Sequence, residues 1–243
     1  MTAKTATAVR LSEETKRLFL KSSSATLTTQ LFKRGLRNTF LTGLRPVNPK
    51  ACRFVGEAYT LRYIPAREDL DHLGVFEDRQ HPQRKAIEDI PPGHVLVMDC
   101  RGDMRAASAG SILITRLMRR GAAAVVSDGG LRDTPTIAEL DIPVFCRGPS
   151  APTNLIHHHA VDINQPIACA NVAVFPGDVL VGDGEGVVVV PRHLASEVAA
   201  DAAEQERFED FVTEKVLEGR PIFGLYPADA ETKAEYQRWK PKS

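Results

Sequence analysis

Two glycine-containing loops flank one helix–strand unit, and they carry the residues of this sequence best suited to chemistry. The first loop, residues 109 to 111, contains Gly110 and opens the helix; the second, residues 129 to 133, follows the strand and ends in Arg132-Asp133. A helix N-terminus binds anions through free backbone N–H groups, an arginine clamps a carboxylate bidentately, and an aspartate supplies a hard oxygen ligand for a divalent cation. Together these groups could hold a small keto acid on a metal ion.

The residues between the loops predict the elements that position them. The spacing of four apolar residues predicts one apolar helical face, formed by Ile112, Leu113, Leu117 and Met118. Gly121 fits the end of this helix, where the left-handed conformation favours glycine. Residues 122 to 126 are an apolar run of strand length that leads into the second loop. The two loops are therefore expected to lie near each other.

Strands and helices alternate through the middle of the chain, which predicts an α/β core with parallel strand pairs. The predicted strands are residues 54–64, 95–99, 122–126 and 142–145. The predicted helices are residues 25–34, 81–88, 136–140 and 193–218, besides the helix that begins at Gly110. Glycine turns between residues 170 and 190 predict an antiparallel ribbon. Ligands of such sheets bind beyond the carboxyl ends of strands, and both loops occupy such positions.

Composition narrows the class of protein. The 243 residues include 43% hydrophobic residues, with 31 basic and 31 acidic residues and a formal net charge of +0. Because this balance provides no broad positive surface, a nucleic-acid partner is not expected. The sequence has no apolar run long enough to span a membrane and no apolar signal core, so a cytoplasmic protein is predicted. The four cysteines are widely spaced and are predicted to be buried free thiols.

Two further groups of residues invite a functional interpretation. The histidines at positions 157 to 159 are consecutive, and consecutive residues do not share a face. One inward and two surface histidines are therefore expected, not a metal site with three histidine ligands. The charged residues Arg62, Arg67, Glu68 and Asp69 could reach a site or could form a network at its rim, and the sequence leaves both readings open.

The segment around the two loops resembles the RraA-like family. That family contains the regulator of ribonuclease activity A and the metal-dependent 4-hydroxy-4-methyl-2-oxoglutarate aldolases. The matching residues are Gly102-Asp103, Ala109-Gly110, Arg120-Gly121, Val125-Val126, Asp128-Gly129, Leu131-Arg132-Asp133, Phe175-Pro176-Gly177-Asp178 and residues 182 to 191. The resemblance extends from about residue 27 to residue 219. It implies a layered α/β/β/α domain of the swivelling type, assembled as a homotrimer or a hexamer.

The resemblance also implies a role for particular residues. Pyruvate would bind to the helix-opening backbone and to Arg132, while Asp133 would hold Mg²⁺ or Mn²⁺; Arg132 and Asp133 are the expected catalytic pair. The helix-opening positions are Gly110, Ser111, Ile112 and Leu113. Either Glu206 or Glu209, from an adjacent subunit's C-terminal helix, would contact a water of the metal. The sequence departs from the aldolases at two positions, with Ser111 in place of Glu and Ala109 in place of Trp.

The function expected from this resemblance is a divalent-metal-dependent lyase of the class II aldolase or decarboxylase type. It would act on a 4-hydroxy-2-keto acid or oxaloacetate and release pyruvate. Two alternatives stay open: a non-enzymatic protein that binds a ribonuclease, and a dehydratase or hydrolase that uses the same chelated keto acid. The expected organisation is an N-terminal arm and helix start over residues 1–24, a catalytic domain over 25–219 and a C-terminal tail over 220–243.

Overall fold

Helices and strands alternate along the chain in the computed structural model, which describes residues 11 to 240. The helices are α1 (Glu13–Lys21), α2 (Ser24–Lys33), α3 (Pro82–Asp89), α4 (Ser111–Arg119), α5 (Thr134–Ile137), α6 (Ala195–Leu217) and α7 (Ala230–Trp239). The strands are β1 (Arg45–Pro46), β2 (Phe54–Pro65), β3 (His94–Asp99), β4 (Ala124–Ser127), β5 (Gly130–Leu131), β6 (Val144–Cys146), β7 (Gly148–Pro149), β8 (His158–Ile163), β9 (Ile167–Cys169), β10 (Val172–Val174), β11 (Val179–Gly182) and β12 (Val187–Val190). The arm predicted for residues 1 to 10 lies outside the described residues.

Four strands of the main sheet run parallel, which confirms the expectation from the alternating pattern. Strand β3 lies between β2 and β4, and β4 pairs with β6, all in parallel. The eight-stranded sheet has the order β1-β6-β4-β3-β2-β11-β12, with β8 also paired to the long strand β2. The pair β11–β12 is antiparallel, as the glycine turns predicted, and β9 and β10 form a second antiparallel pair.

The buried apolar side chains form separate cores, each of which lies between two layers of the fold. Helices α3 and α4 pack on one face of β2, β3, β4 and β6. The opposite face of the same strands shares a core with β9, β10 and alternate residues of β11 and β12. The remaining residues of β11 and β12 face α1, α2 and α6. One curled sheet thus supplies both inner layers, and the predicted α/β/β/α arrangement is confirmed.

The prediction of an apolar face on helix α4 is wrong at one of its four residues. Ile114 and Leu117 are buried and Leu113 and Met118 pack beside them, whereas Ile112 is 82% exposed. At about 100° per residue, Ile112 lies on the opposite side of the helix from Ile114. This orientation turns the Ile112 side chain towards the surface that carries the two loops.

The segment predicted as a polar tail contains helix α7, which packs on the end of α6. The rings of Phe211 and Tyr236 have centroids 5.6 Å apart, and Trp239 lies 5.5 Å from Phe211. Lys240 also pairs with Glu204 at 2.7 Å. Residues 220 to 240 are therefore held against their own chain by an aromatic cluster.

All four cysteines are free and buried, which confirms the prediction made from their spacing. Burial raises the pKa of Cys100 to about 12, so this thiol stays protonated at neutral pH. Among the described residues, no helix combines the length and apolar character that crossing a membrane requires.

Candidate functional site

The two glycine loops meet beyond the carboxyl end of β4, as the sequence predicted. The backbone N–H of Arg132 donates to the carbonyl oxygen of Ala109 at 3.0 Å. The Oδ2 atom of Asp133 accepts hydrogen bonds from the backbone N–H and the hydroxyl of Ser111, both at 3.2 Å. Ser111 therefore fixes the Asp133 carboxylate through both its backbone and its side chain.

Gly110 makes this close approach possible. A Cβ atom at position 110 would lie 2.7 Å from Cγ of Arg132 and 2.9 Å from Oδ2 of Asp133. Both separations are shorter than a van der Waals contact, so any side chain here would displace the Arg132-Asp133 pair. The glycine that opens α4 is needed for the space it leaves, because its φ of −131° is open to any residue.

Arg132 and Asp133 keep their charged groups accessible. Their side chains are 47% and 40% exposed, and Nε of Arg132 lies 3.8 Å from Oδ2 of Asp133. Asp133 has a φ of +57°, a left-handed conformation that Asp and Asn adopt more readily than most residues. The backbone thus holds a cation and an anion side by side at the surface of one cavity.

Some of the backbone N–H groups that open the helix are already hydrogen-bonded within the chain. The N–H of Ser111 is occupied by Asp133, and the N–H of Leu113 donates to the carbonyl of Gly110 at 3.1 Å. Within residues 11 to 240, the N–H of Ile112 has no hydrogen-bond partner. Of the four positions expected to bind a carboxylate, Gly110 and Ile112 are the two whose backbone N–H groups form no hydrogen bond within residues 11 to 240.

A cavity of about 350 Å³ adjoins these groups. Five of the predicted site residues line it: Gly110, Ile112, Leu113, Arg132 and Asp133. Its volume lies at the small end of the range for small-molecule sites, about 300–1,000 Å³. The cavity is therefore of a size that suits a small organic acid.

Glu206 and Glu209 lie away from this cavity within their own chain. Glu206 accepts the backbone N–H of Ser23 at 2.6 Å, between α1 and α2. Glu209 accepts a hydrogen bond from the side chain of Gln205. It lines a separate cavity of about 610 Å³ beside α7. A role for either carboxylate at an adjacent subunit's site stays a prediction.

The donor set around Asp133 fits a metal ion that keeps most of its waters. Among residues 11 to 240, no three His, Cys, Asp or Glu side chains gather into a metal-ligand cluster. Mg²⁺ commonly binds through one or two carboxylates and retains several waters. A single accessible carboxylate beside a cavity is compatible with that mode, and it leaves coordination positions for a ligand.

The other residues singled out in the sequence have structural roles. His158 is fully buried and its Nε2 lies 3.1 Å from the carbonyl oxygen of Ala106, while His157 and His159 are partly exposed. This arrangement confirms one inward histidine. Arg62 pairs with Asp162, and Arg67 pairs with Asp69 at 2.7 Å, so the charged loop forms surface ion pairs.

The sequence did not single out three residues on another part of the cavity wall. Gln83 and Arg84 come from the first turn of α3, and Asn154 from a short 3₁₀ helix over Asn154–Ile156. Gln83 and Asn154 are buried, and Arg84 is partly buried. No local motif marks them, because they meet only when the sheet has folded.

Comparisons with known proteins identify the family to which the chain is similar. Residues 24–189 match the family model described as RraA-like: Aldolase/RraA. A relative from Halalkalibacterium halodurans, named "Putative 4-hydroxy-4-methyl-2-oxoglutarate aldolase", is 32% identical over 187 residues, which cover 75% of this chain and 82% of the relative. A 4-hydroxy-4-methyl-2-oxoglutarate aldolase from Thermus thermophilus is 30% identical and covers 58% of this chain, with 77% of its own length matched.

Solved structures show the same fold. An uncharacterised protein from Pseudomonas syringae aligns with a TM-score of 0.76 and 25% identity, over 90% of this chain and 99% of its own. Streptomyces coelicolor RraAS2, described as an unusual member of the RNase ES inhibitor RraA protein family, aligns with a TM-score of 0.73 and 30% identity. That alignment covers 84% of this chain and 97% of the other.

Proposed function

Because the chain belongs to the RraA-like family, as its motifs predicted, we propose that it is a divalent-metal-dependent lyase that releases pyruvate from a 2-keto acid. The substrate is a 4-hydroxy-2-keto acid or oxaloacetate. The observation that carries the proposal is the contact of Asp133 with Ser111 beside Gly110 and Arg132. This contact places a carboxylate, a guanidinium and a helix-opening backbone donor at one small cavity.

The chain's residues bind and orient the keto acid in this proposal. Arg132 clamps the substrate carboxylate through parallel N–H groups, and the N–H of Ile112 donates to the same end of the substrate. Ser111 fixes Asp133, which would hold Mg²⁺ or Mn²⁺. A cation held there supplies Lewis acidity towards the keto group. Gly110 keeps these groups close together.

Cleavage of a 4-hydroxy-2-keto acid breaks the bond between C3 and C4. The C4 hydroxyl loses its proton and becomes a carbonyl, and the bonding electron pair moves to C3. The three-carbon fragment then takes one proton at C3 and leaves as pyruvate. In oxaloacetate the same bond breaks, and C4 leaves as carbon dioxide. Negative charge develops on the pyruvate fragment in both reactions, where the fixed positive charge of Arg132 stabilises it.

The similarity to RraAS2 favours a second candidate, a non-enzymatic protein that binds a ribonuclease. The two functions place different demands on the cavity: a binding protein needs neither Arg132 nor Asp133 to act on a small molecule. A dehydratase or hydrolase that acts on the same keto acid would retain the site but release different products. A measurement of turnover distinguishes the ribonuclease-binding protein from the lyase. The identity of the products distinguishes a dehydratase or hydrolase from the lyase.

We expect the purified protein to release pyruvate from oxaloacetate or from a 4-hydroxy-2-keto acid when Mg²⁺ or Mn²⁺ is present. EDTA should stop the reaction, and excess metal should restore it, because metal-ion Lewis acidity contributes several kcal/mol of transition-state stabilisation. Pyruvate release can be followed with a coupled lactate dehydrogenase assay. A folded protein that turns over no 2-keto acid in a broad panel would favour the ribonuclease-binding candidate.

The proposal includes assembly as a homotrimer or a hexamer with sites near the subunit boundaries. Large apolar side chains at the surface support it, among them Phe223 and Leu217, which are strongly exposed in the chain. An adjacent subunit that covers such side chains removes their apolar surface from water, which favours association. Light scattering should report three or six chains per particle, and a monomer at micromolar concentration would contradict the assembly.

A further inference from the structure

The cavity of about 610 Å³ beside α7 shares no lining residue with the cavity at Gly110. Its walls come from α2, α6, α7 and residues 226–228. Its volume lies within the range of small-molecule sites, about 300–1,000 Å³. Because α6 and α7 follow residue 189, most of this wall lies outside the residues that match the family model. The cavity is therefore a second candidate site, separate from the one proposed to bind the keto acid.

Aromatic side chains form the apolar part of this wall. The rings of Phe208 and Tyr236 meet edge to face, with their centroids 5.2 Å apart. Tyr236 is buried, and its hydroxyl donates to Glu204 at 3.0 Å, which holds the ring in place. Tyr226, which also lines the cavity, keeps half of its side chain exposed. Because aromatic rings attract one another in offset and edge-to-face arrangements, this wall favours a ligand with an aromatic ring.

The charged side chains of the wall are two lysines and one glutamate. Lys33 donates to Oε1 of Gln205 at 3.1 Å, and Glu209 accepts from Nε2 of Gln205 at 2.8 Å. In the part of the chain that the structure describes, neither Lys33 nor Glu209 forms an ion pair, and the ammonium group of Lys233 has no partner. Two lysines and one glutamate give the wall a net charge of +1. By charge complementarity, the cavity favours a ligand with one negative charge.

We propose that this cavity binds an aromatic monocarboxylate. Lys33 and Lys233 bind the carboxylate as point charges, and the ring of the ligand packs against Phe208 and Tyr236. The ligand contacts α2, α6 and α7 together, so its binding stabilises the folded chain. The proposal does not depend on the lyase, because Arg132 and Asp133 line only the other cavity.

Trp239 provides a readout of binding that needs no turnover. It is the only tryptophan of the chain, and its ring is stacked on that of Tyr236 with centroids 6.2 Å apart. Titration with 3-phenylpropanoate should change the tryptophan fluorescence saturably, and calorimetry should give the same Kd. At 100 times this Kd, Tm should rise by about 5–10 °C. Propanoate, which lacks the ring, and 3-phenyl-1-propanol, which lacks the charge, should each bind about 10-fold more weakly or worse.

Substitutions of the charged side chains test which groups bind the carboxylate. The double variant Lys33→Met/Lys233→Met should raise the Kd of 3-phenylpropanoate about 10-fold, as loss of two ion pairs at partly exposed positions does. The Kd of 3-phenyl-1-propanol should change less than about 3-fold, because the alcohol carries no charge. Glu209→Gln removes the opposing charge and should lower the Kd of the acid about 2- to 5-fold. Lys50→Met, at an exposed lysine outside the cavity, is the matched control and should keep the wild-type Kd.

Each other outcome contradicts the proposal in a defined way. No binding of 3-phenylpropanoate at millimolar concentration would overturn the site, and this result is expected if a second copy of the chain fills the cavity. Equal affinity for the acid and the alcohol would overturn recognition of a carboxylate. Binding that is lost in Arg132→Lys but kept in the double lysine variant would place the acid in the other cavity. Failure of the lyase assay with intact, lysine-dependent binding would leave this site in place.

Discussion

Asp133→Asn should lower kcat/KM for the keto-acid substrate about 1,000-fold or more. The substitution removes the one carboxylate proposed to hold the metal, and several kcal/mol of Lewis-acid stabilisation correspond to at least this factor. Asparagine suits the left-handed φ of +57° at this position and can still accept the hydrogen bond from the N–H of Ser111. The variant should therefore fold normally. Alanine would add backbone strain to the lost charge, so it is the less informative change.

Metal titration by calorimetry, with and without pyruvate, measures the same role without turnover. The wild type should bind Mn²⁺ more tightly when pyruvate is present, and Asp133→Asn should bind it weakly in both conditions. Asp141→Asn is the matched control, because Asp141 is exposed and lies in the turn before β6. Wild-type metal affinity and activity in a folded Asp133→Asn variant would show that the metal site lies elsewhere.

Asp128 is not a suitable control, although it is close in sequence. Its carboxylate accepts backbone N–H groups of Cys100, Gly102 and Ala170 at 2.5, 3.1 and 3.1 Å. In Asp128→Asn, the amide NH₂ group would face a backbone N–H group, and two donors cannot form a hydrogen bond. The unpaired donor costs about 1–3 kcal/mol of folding free energy. Loss of activity in such a variant would report instability of the turn.

Arg132→Lys should lower kcat/KM about 100-fold, as loss of one oriented donor to a developing oxyanion does. Lysine keeps the charge but is a point donor, so it cannot reproduce the planar fork that binds a carboxylate bidentately. The backbone hydrogen bond to Ala109 is retained, and Asp133 keeps its partner Ser111. Metal affinity without pyruvate should therefore stay at the wild-type value, while the gain in affinity on adding pyruvate should shrink.

Arg105→Lys is the matched control for this substitution. Arg105 is exposed and pairs with Asp103 at 2.7 Å, apart from the residues that line the cavity. Steady-state kinetics should give the wild-type kcat/KM for the control. If Arg132→Lys also kept the full kcat/KM and the full effect of pyruvate on metal binding, Arg132 would not be the carboxylate clamp.

The central contact of the site could be predicted from the sequence because it follows from short-range patterns. Loops at the carboxyl ends of neighbouring parallel strands share one edge of a sheet, so Gly110 was expected near Arg132. Helix α3, predicted over residues 81 to 88, is observed over Pro82–Asp89. Local periodicity and turn residues carry this information.

Other features depend on tertiary structure and could not be predicted in the same way. Ile112 belongs to an apolar sequence cluster, yet its exposure depends on which face of α4 meets β3 and β4. The backbone N–H of Ser111 donates a hydrogen bond to the carboxylate of Asp133. The spacing of these two residues in the sequence does not predict this hydrogen bond. Arg84 and Asn154 share a cavity because β8 pairs with β2 and draws the segment before it towards α3. Such long-range pairing leaves little trace in local sequence.

The most direct test of the proposed function is identification of the products by mass spectrometry. Wild-type protein incubated with 4-hydroxy-2-oxoglutarate and Mn²⁺ should yield pyruvate and glyoxylate in equal amounts, and neither product should form in EDTA or with Asp133→Asn. Intact substrate after incubation with the folded, metal-supplemented wild type, or a product that retains all five carbons, would contradict a carbon–carbon lyase at this site.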